Sequence, residues 1–180
     1  VSLGSIAIGQ EIGVTPIQIA SAYAAIANNG ELPRPRIVAE VRDRDASSDS
    51  VKPPPVMAGR AISAETAAAV RKMLQRVVDA GTGRNAKPAG YTAGGKTGTA
   101  QKIDARTGTY SLDDYVTSFV GFAPAPAPKL VIVVMIDSPM GEAWGSSVAA
   151  PVFKAVAEQS LAYLQVPPDD VGGRMLLVAR

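Results

Sequence analysis

Apolar positions along this chain change their period several times, and each change marks an element. Thr15-Pro16-Ile17-Gln18 reads as a capping box with proline at the first helical position. Ile19, Tyr23 and Ile26 then recur at helical spacing until Asn29-Gly30 closes the segment. Ser63 caps a second helix in which Ala67, Val70, Leu74 and Val77 share a face while Arg71, Lys72, Gln75 and Arg76 face water. Ile62 supplies its N-terminal staple and Gly81 its stop. A third helix is predicted over residues 147–164, with Val148, Val152, Val156 and Tyr163 on one face and Phe153, Ala157 and Leu161 beside it.

Between these helices the pattern shortens to strands. Residues 36–41 form a short apolar, β-branched run, followed by a charged, Ser- and Pro-rich loop over 42–55 that carries no visible chemistry. After a turn at Gly81-Thr82-Gly83, three strands are predicted over residues 93–102, 115–123 and 129–137, with a hairpin tip at Arg106-Thr107-Gly108-Thr109. A parallel crossover needs a dozen residues or more, so connections this short make the strands antiparallel neighbours. The fold class that follows is α+β, an antiparallel sheet flanked by helices. Residues 167–180 are polar and Gly-bearing and read as a flexible tail.

Length and charge narrow the picture further. A chain of 180 residues fits one domain. The net charge of +2 comes from scattered basic residues, which argues against a nucleic-acid partner and a polybasic membrane patch. The longest apolar run, residues 130–136, falls far short of the ~20 residues a membrane helix needs. Histidine and cysteine are both absent. That removes Ser-His-Asp triads, histidine bases, thiolate nucleophiles and the usual zinc cages, so no metal or cofactor is expected. Covalent chemistry in this chain would have to use hydroxyls and lysine. The lack of cysteine fits an extracytoplasmic setting, but a cytosolic protein can also lack it by chance, so composition leaves the compartment open.

The stretch Gly94-Gly95-Lys96-Thr97-Gly98-Thr99-Ala100 concentrates an ammonium, two hydroxyls and three glycines. Two chemical readings meet there. Gly90 to Thr97 satisfies the pattern GxxxxGK[ST], and a P-loop reading would require a helix to open directly after Lys96-Thr97. The other reading places 93–102 as an edge strand lining a cleft, where the glycines admit a second backbone and Lys96, Thr97 and Thr99 grip an anionic terminus. A bland third possibility is a Gly-rich hairpin with a solvated lysine. Asp137, Trp144, Tyr110, Tyr115 and the Asp113-Asp114 pair read as turn, rim, hairpin and surface residues.

Lys96-Thr97-Gly98-Thr99-Ala100-Gln101-Lys102 resembles the third active-site motif of penicillin-binding proteins. The opening Ala7-Ile8-Gly9-Gln10-Glu11-Ile12-Gly13-Val14-Thr15-Pro16-Ile17-Gln18 is similar to the segment that follows the second motif in the class B transpeptidases of cell division and elongation. Ser118-Phe119-Val120-Gly121-Phe122-Ala123-Pro124 and Ala149-Ala150-Pro151-Val152-Phe153-Lys154 resemble that family's late strand and last helix. The blocks occur in order from about residue 4 to 168.

The resemblance implies a partial serine β-lactamase/D,D-peptidase fold, residues 1–166 being the C-terminal portion of a transpeptidase domain. It implies acyl transfer from the D-Ala-D-Ala end of peptidoglycan stem peptides, with β-lactams as mimics. Lys96, Thr97, Gly98 and Thr99 would bind the substrate or drug, and the Thr99 N–H would form half of an oxyanion hole. No serine here stands three residues before a lysine, and none two residues before an asparagine, so neither SxxK nor SxN is present. The expectation is that the nucleophile, its lysine, a pedestal domain and a membrane anchor lie N-terminal to this chain, which alone is inactive. The parent would work with the cell-wall synthesis machinery at the periplasmic face of the inner membrane. The competing expectation is an inert fragment that only binds peptide or its missing half.

Overall fold

The computed structural model describes residues 3–7, 9, 12–42 and 50–170. A short helix α1 (Leu3–Ala7) precedes α2 (Pro16–Ala27), whose capping box forms as the sequence predicts. The Thr15 amide donates to Gln18 Oε1 at 2.8 Å while Thr15 Oγ1 accepts from the Gln18 amide at 3.4 Å. Gly30 closes the helix at φ +87°, and a Cβ there would stand 2.0 Å from the Ile62 carbonyl oxygen, so the turn excludes every other residue.

Two small antiparallel pairs follow. β1 (Glu31–Pro33) pairs with β4 (Met57–Arg60), and β2 (Val41–Arg42) pairs with β3 (Ser50–Val51). The strand predicted over 36–41 reaches regular pairing only at Val41. Pro33 and Pro35 remove amide donors just before it, and Ile37 stands fully exposed with no neighbour to bury it. The β1–β4 pair was not visible in the sequence because its strands are too short to show a period.

α3 (Ala64–Ala80) starts at Ser63, whose Oγ accepts from the Thr66 amide at 3.0 Å, and ends at Gly81. Arg71, expected to face water, instead donates from Nη1 to the Ile26 carbonyl at 2.8 Å and ties α3 to the end of α2. After one turn of 3₁₀ helix (Arg84–Ala86) comes the main sheet, β5 (Gly94–Ile103), β6 (Tyr110–Ala123) and β7 (Leu130–Asp137), antiparallel in the order β5-β6-β7. β6 begins at Tyr110 rather than at the predicted 115, because a register irregularity after Gln101 lets Ile103 pair with Tyr110 and lengthens the hairpin.

Strand alternation divides the core between two faces. Phe119 points to α4 (Ala149–Tyr163), its ring 4.8 Å from that of Phe153 at an interplanar angle of 57°. Ala149, Ala150, Ala157 and Leu161 complete that layer. The valines of the predicted α4 face, Val152 and Val156, are exposed instead, since the neighbouring face of Phe153, Ala157 and Leu161 is the one that packs on the sheet. On the other face, a Cβ on Gly94 would stand 2.6 Å from the Phe122 ring and 3.2 Å from the Gln75 amide of α3. The sheet is thus enclosed by α4 on one side and by α2 and α3 on the other.

Beyond α4 the chain doubles back on residues 87–92. Tyr91 Oη donates to the Val166 carbonyl at 2.8 Å, the Asp170 amide to the Gly90 carbonyl at 3.1 Å, and Lys87 pairs with Asp170 at 2.8 Å. The flexible tail expected from residue 167 begins with this bonded stretch, and 171–180 lie outside the described residues. Among the described residues no helix is long and apolar enough to cross a membrane.

Candidate active site

Lys96, Thr97, Gly98 and Thr99 lie consecutively within β5, the free edge of the main sheet. An edge strand carries a row of backbone N–H and C=O groups with no neighbour, ready to accept another extended chain. Because Lys96-Thr97 sit inside a strand and open no helix, the P-loop reading falls. Gly95 is required here for a separate reason. A Cβ on it would stand 2.6 Å from both the Phe119 ring and the Val120 carbonyl oxygen.

Lys96 is exposed, and its Nζ donates to the Thr97 carbonyl at 2.9 Å and to Thr97 Oγ1 at 3.2 Å. Among the described residues no carboxylate pairs with it, whereas Lys87 and Lys102 are held by aspartates. Thr97, Gly98 and Thr99 are half-buried. Thr99 Oγ1 accepts from the Gly145 amide at 3.3 Å. The Thr117 hydroxyl, fully buried on the next strand, donates to the Ala143 carbonyl, and Asn85 Nδ2 donates to the Ser146 carbonyl at 2.9 Å. These three bonds pin residues 143–146 over the sheet beside Thr99.

The pinned loop makes the second wall of a groove. A cavity of about 480 Å³ opens next to Thr99, bounded by Gln101, Tyr115, Glu142, Ala143 and Trp144. Trp144, read from the sequence as a rim aromatic, is 66% exposed at this edge. Tyr115 was read from the sequence as an ordinary strand residue and Gln101 was given no role of its own; only their register opposite each other on β5 and β6 could have drawn attention to them. Asp137 and Asp114, read as turn and surface residues, both face Lys102, whose Nζ lies 2.8 Å and 3.5 Å from them. That hydrogen bond holds the Asp137 carboxyl below its ordinary range and raises the Lys102 ammonium above its own. A larger cavity, about 660 Å³ and almost wholly apolar, lies elsewhere, against Ile17, Ala22, Ala25, Ile26, Leu32 and Ile62. Its polar lining is limited to Gln18 and to Ser21, whose hydroxyl donates to the Ile17 carbonyl at 2.8 Å, and no charged side chain lines it, so the edge of β5 is the candidate site.

A Lys-Thr-Gly strand on the free edge of an antiparallel sheet, with helices on both faces, is the arrangement that the resemblance to penicillin-binding transpeptidases implied. Residues 2–158 match the penicillin binding protein transpeptidase domain family. The chain belongs to that family. It is 43% identical over 163 residues to the stage V sporulation protein D of Bacillus subtilis, covering 90% of this chain and 25% of that protein. The structure of penicillin binding protein 3 from Mycobacterium tuberculosis, complexed with ampicillin, aligns with TM-score 0.79 at 36% identity, over 96% of this chain and 40% of that one. The apo transpeptidase domain of Burkholderia pseudomallei penicillin-binding protein 3 aligns with TM-score 0.76 at 40% identity, over 91% and 46%. The chain therefore spans about a quarter of the length of the sporulation protein and under half of these solved structures.

Proposed function

We propose that this chain supplies the Lys-Thr-Gly wall of a peptidoglycan D,D-transpeptidase site, in which a serine outside the chain is acylated by the penultimate D-alanine of a stem peptide or by a β-lactam. The observation that carries the reading is Lys96, a cation without an acidic partner among the described residues, beside two threonine hydroxyls on a free strand edge. That set of donors suits a carboxylate, and charge-assisted bonds are about twice as strong as neutral ones. The donor peptide lies along β5, with its terminal carboxylate at Lys96, Thr97 and Thr99. Gly98 keeps the strand open to it. The Thr99 N–H faces the carbonyl oxygen that becomes negative, a donor whose loss in acyl-transfer enzymes costs about 2.7–4 kcal/mol. An amine of a neighbouring strand then takes the acyl group.

Residues 1–166 form the C-terminal portion of the transpeptidase domain under this reading, and the apolar groove on α2 receives the part of the same domain that lies outside the chain. Supporting this, the solved relatives extend well beyond the region matched, and their ampicillin complex comes from the same family. With neither SxxK nor SxN in it, the chain by itself is inactive. The intact protein acts outside the cytoplasm, anchored by a membrane helix elsewhere in its sequence, among the cell-wall synthesis machinery.

The test is acylation of an intact transpeptidase domain containing this chain by a fluorescent penicillin. Lys96→Ala is expected to slow the second-order rate roughly ten- to a hundredfold, the loss of a charge-assisted bond. The melting temperature is expected to hold, because Lys96 is exposed and, among the described residues, bonds only to its neighbour. An unchanged rate, or a loss explained wholly by melting, removes the carboxylate-binding role.

A further inference from the structure

Thr82 belongs to no strand of the site, yet its hydroxyl oxygen lies 3.2 Å from Thr97 Oγ1. The turn that brings it there is tightly built. The Gly81 and Gly83 amides both donate to the Val77 carbonyl at 3.0 Å. A Cβ on Gly81 would stand 2.9 Å from that oxygen, and one on Gly83 would stand 3.2 Å from it and 3.4 Å from the Phe119 ring. Side chains are thus kept off both flanks, and Thr82 is the single residue of Gly81-Thr82-Gly83 that projects one.

Counting hydrogens at Thr97 shows what this placement does. A hydroxyl oxygen accepts two bonds and donates one. Lys96 Nζ, which can only donate, occupies one acceptor position of Thr97 Oγ1 at 3.2 Å. We infer that Thr82 donates into the other, so that the hydrogen of Thr97 is turned off the protein toward the ligand carboxylate. Thr82 is then a positioning residue for carboxylate recognition, acting through Thr97 from a different element of the fold. The inference rests on the carboxylate-binding role proposed above for Lys96 and Thr97.

The experiment uses the intact domain and two probes, a β-lactam with its free carboxylate and the methyl ester of the same drug. Thr82→Val is expected to slow acylation by the free acid about two- to tenfold, the worth of one neutral hydrogen bond. It leaves the rate with the ester unchanged, and Thr82→Ser restores the rate with the acid. An equal loss with both probes would show that the turn is merely structural and overturn the inference, as would full activity of Thr82→Val toward the acid. Thr82→Ala serves the same comparison if the valine variant does not fold. Lys96→Ala, measured alongside, separates the two levels of the argument. If it slows acylation while Thr82→Val does not, only the role of Thr82 fails; if Lys96→Ala is itself without effect, the carboxylate reading fails and takes Thr82 with it.

Discussion

Asp169 holds Thr92 with both of its carboxylate oxygens, Oδ1 accepting from the backbone amide at 2.8 Å and Oδ2 from the hydroxyl. Thr92 Oγ1 in turn accepts from the Ala125 amide at 2.9 Å, in the connection between β6 and β7. A residue beyond the last helix therefore fixes the backbone two positions before the strand that carries Lys96. Asp169→Ala is expected to destabilise the chain by about 1–2 kcal/mol, at the lower part of the range for bonds to a charged group because the pair is solvent-exposed. Thermal melts check this, and limited proteolysis should show earlier cleavage near residues 87–92. A melt indistinguishable from that of the parent would mean that the clasp contributes nothing.

Thr99→Val removes a hydroxyl but keeps the backbone N–H. The lost bond is the one from the Gly145 amide to Thr99 Oγ1. In the intact domain the acylation rate is expected to fall by less than in Lys96→Ala, about two- to tenfold, since a neutral bond is lost. A larger fall than in Lys96→Ala would assign the hydroxyl a greater share of carboxylate binding than the ammonium.

The chain by itself should take no covalent label from a fluorescent penicillin, since none of its serines has a lysine three residues on. A denaturing gel after incubation with the drug reads this directly. A specific band lost on changing any one serine to alanine would reveal a nucleophile within these residues.

The cluster of Lys102 with Asp137 and Asp114 gives the stability a pH signature. Asp137 is held below its ordinary 3.8, chiefly by the Lys102 hydrogen bond, so its contribution is present above 3.8 and is lost as pH falls through the lowered value. Lys102 is raised above 10.5 by the same bond, so its contribution is present below 10.5 and is lost as pH rises through the raised value. The difference in melting temperature between the parent and Lys102→Met should be widest between these limits and shrink toward both extremes. A difference that does not vary with pH would show that Lys102 acts through packing of its stem.

The three long helices α2, α3 and α4 and the three long strands were legible in the sequence because each leaves a local trace, whereas the five-residue α1 was not read. Thr15-Pro16-Ile17-Gln18, Ser63 and Gly81 mark boundaries through bonds made within four residues. Lys96 to Thr99 were legible as a chemical group for the same reason, being consecutive. What escaped depends on contacts distant in sequence. Arg71 reaches Ile26, Asn85 reaches Ser146, and Asp169 reaches Thr92, and no periodicity records such meetings. Thr82 was visible only as the middle of a turn, because its partner Thr97 is fifteen residues away. The exposed Val152 and Val156 show the converse, since hydropathy alone cannot tell which apolar face of α4 meets the sheet.

Gly145 lies so close to β5 and β6 that a Cβ on it would stand 2.6 Å from the Ser118 carbonyl oxygen and 2.8 Å from that of Gly98. The spacing between the two walls of the groove is accordingly set by main chain meeting main chain, where no side chain can be admitted without moving a strand. Glu142 and Trp144, three and one residues earlier, are both exposed. Substitutions at Glu142 and Trp144 can thus change the rim of the groove while its width, held by backbone packed on backbone, stays constant.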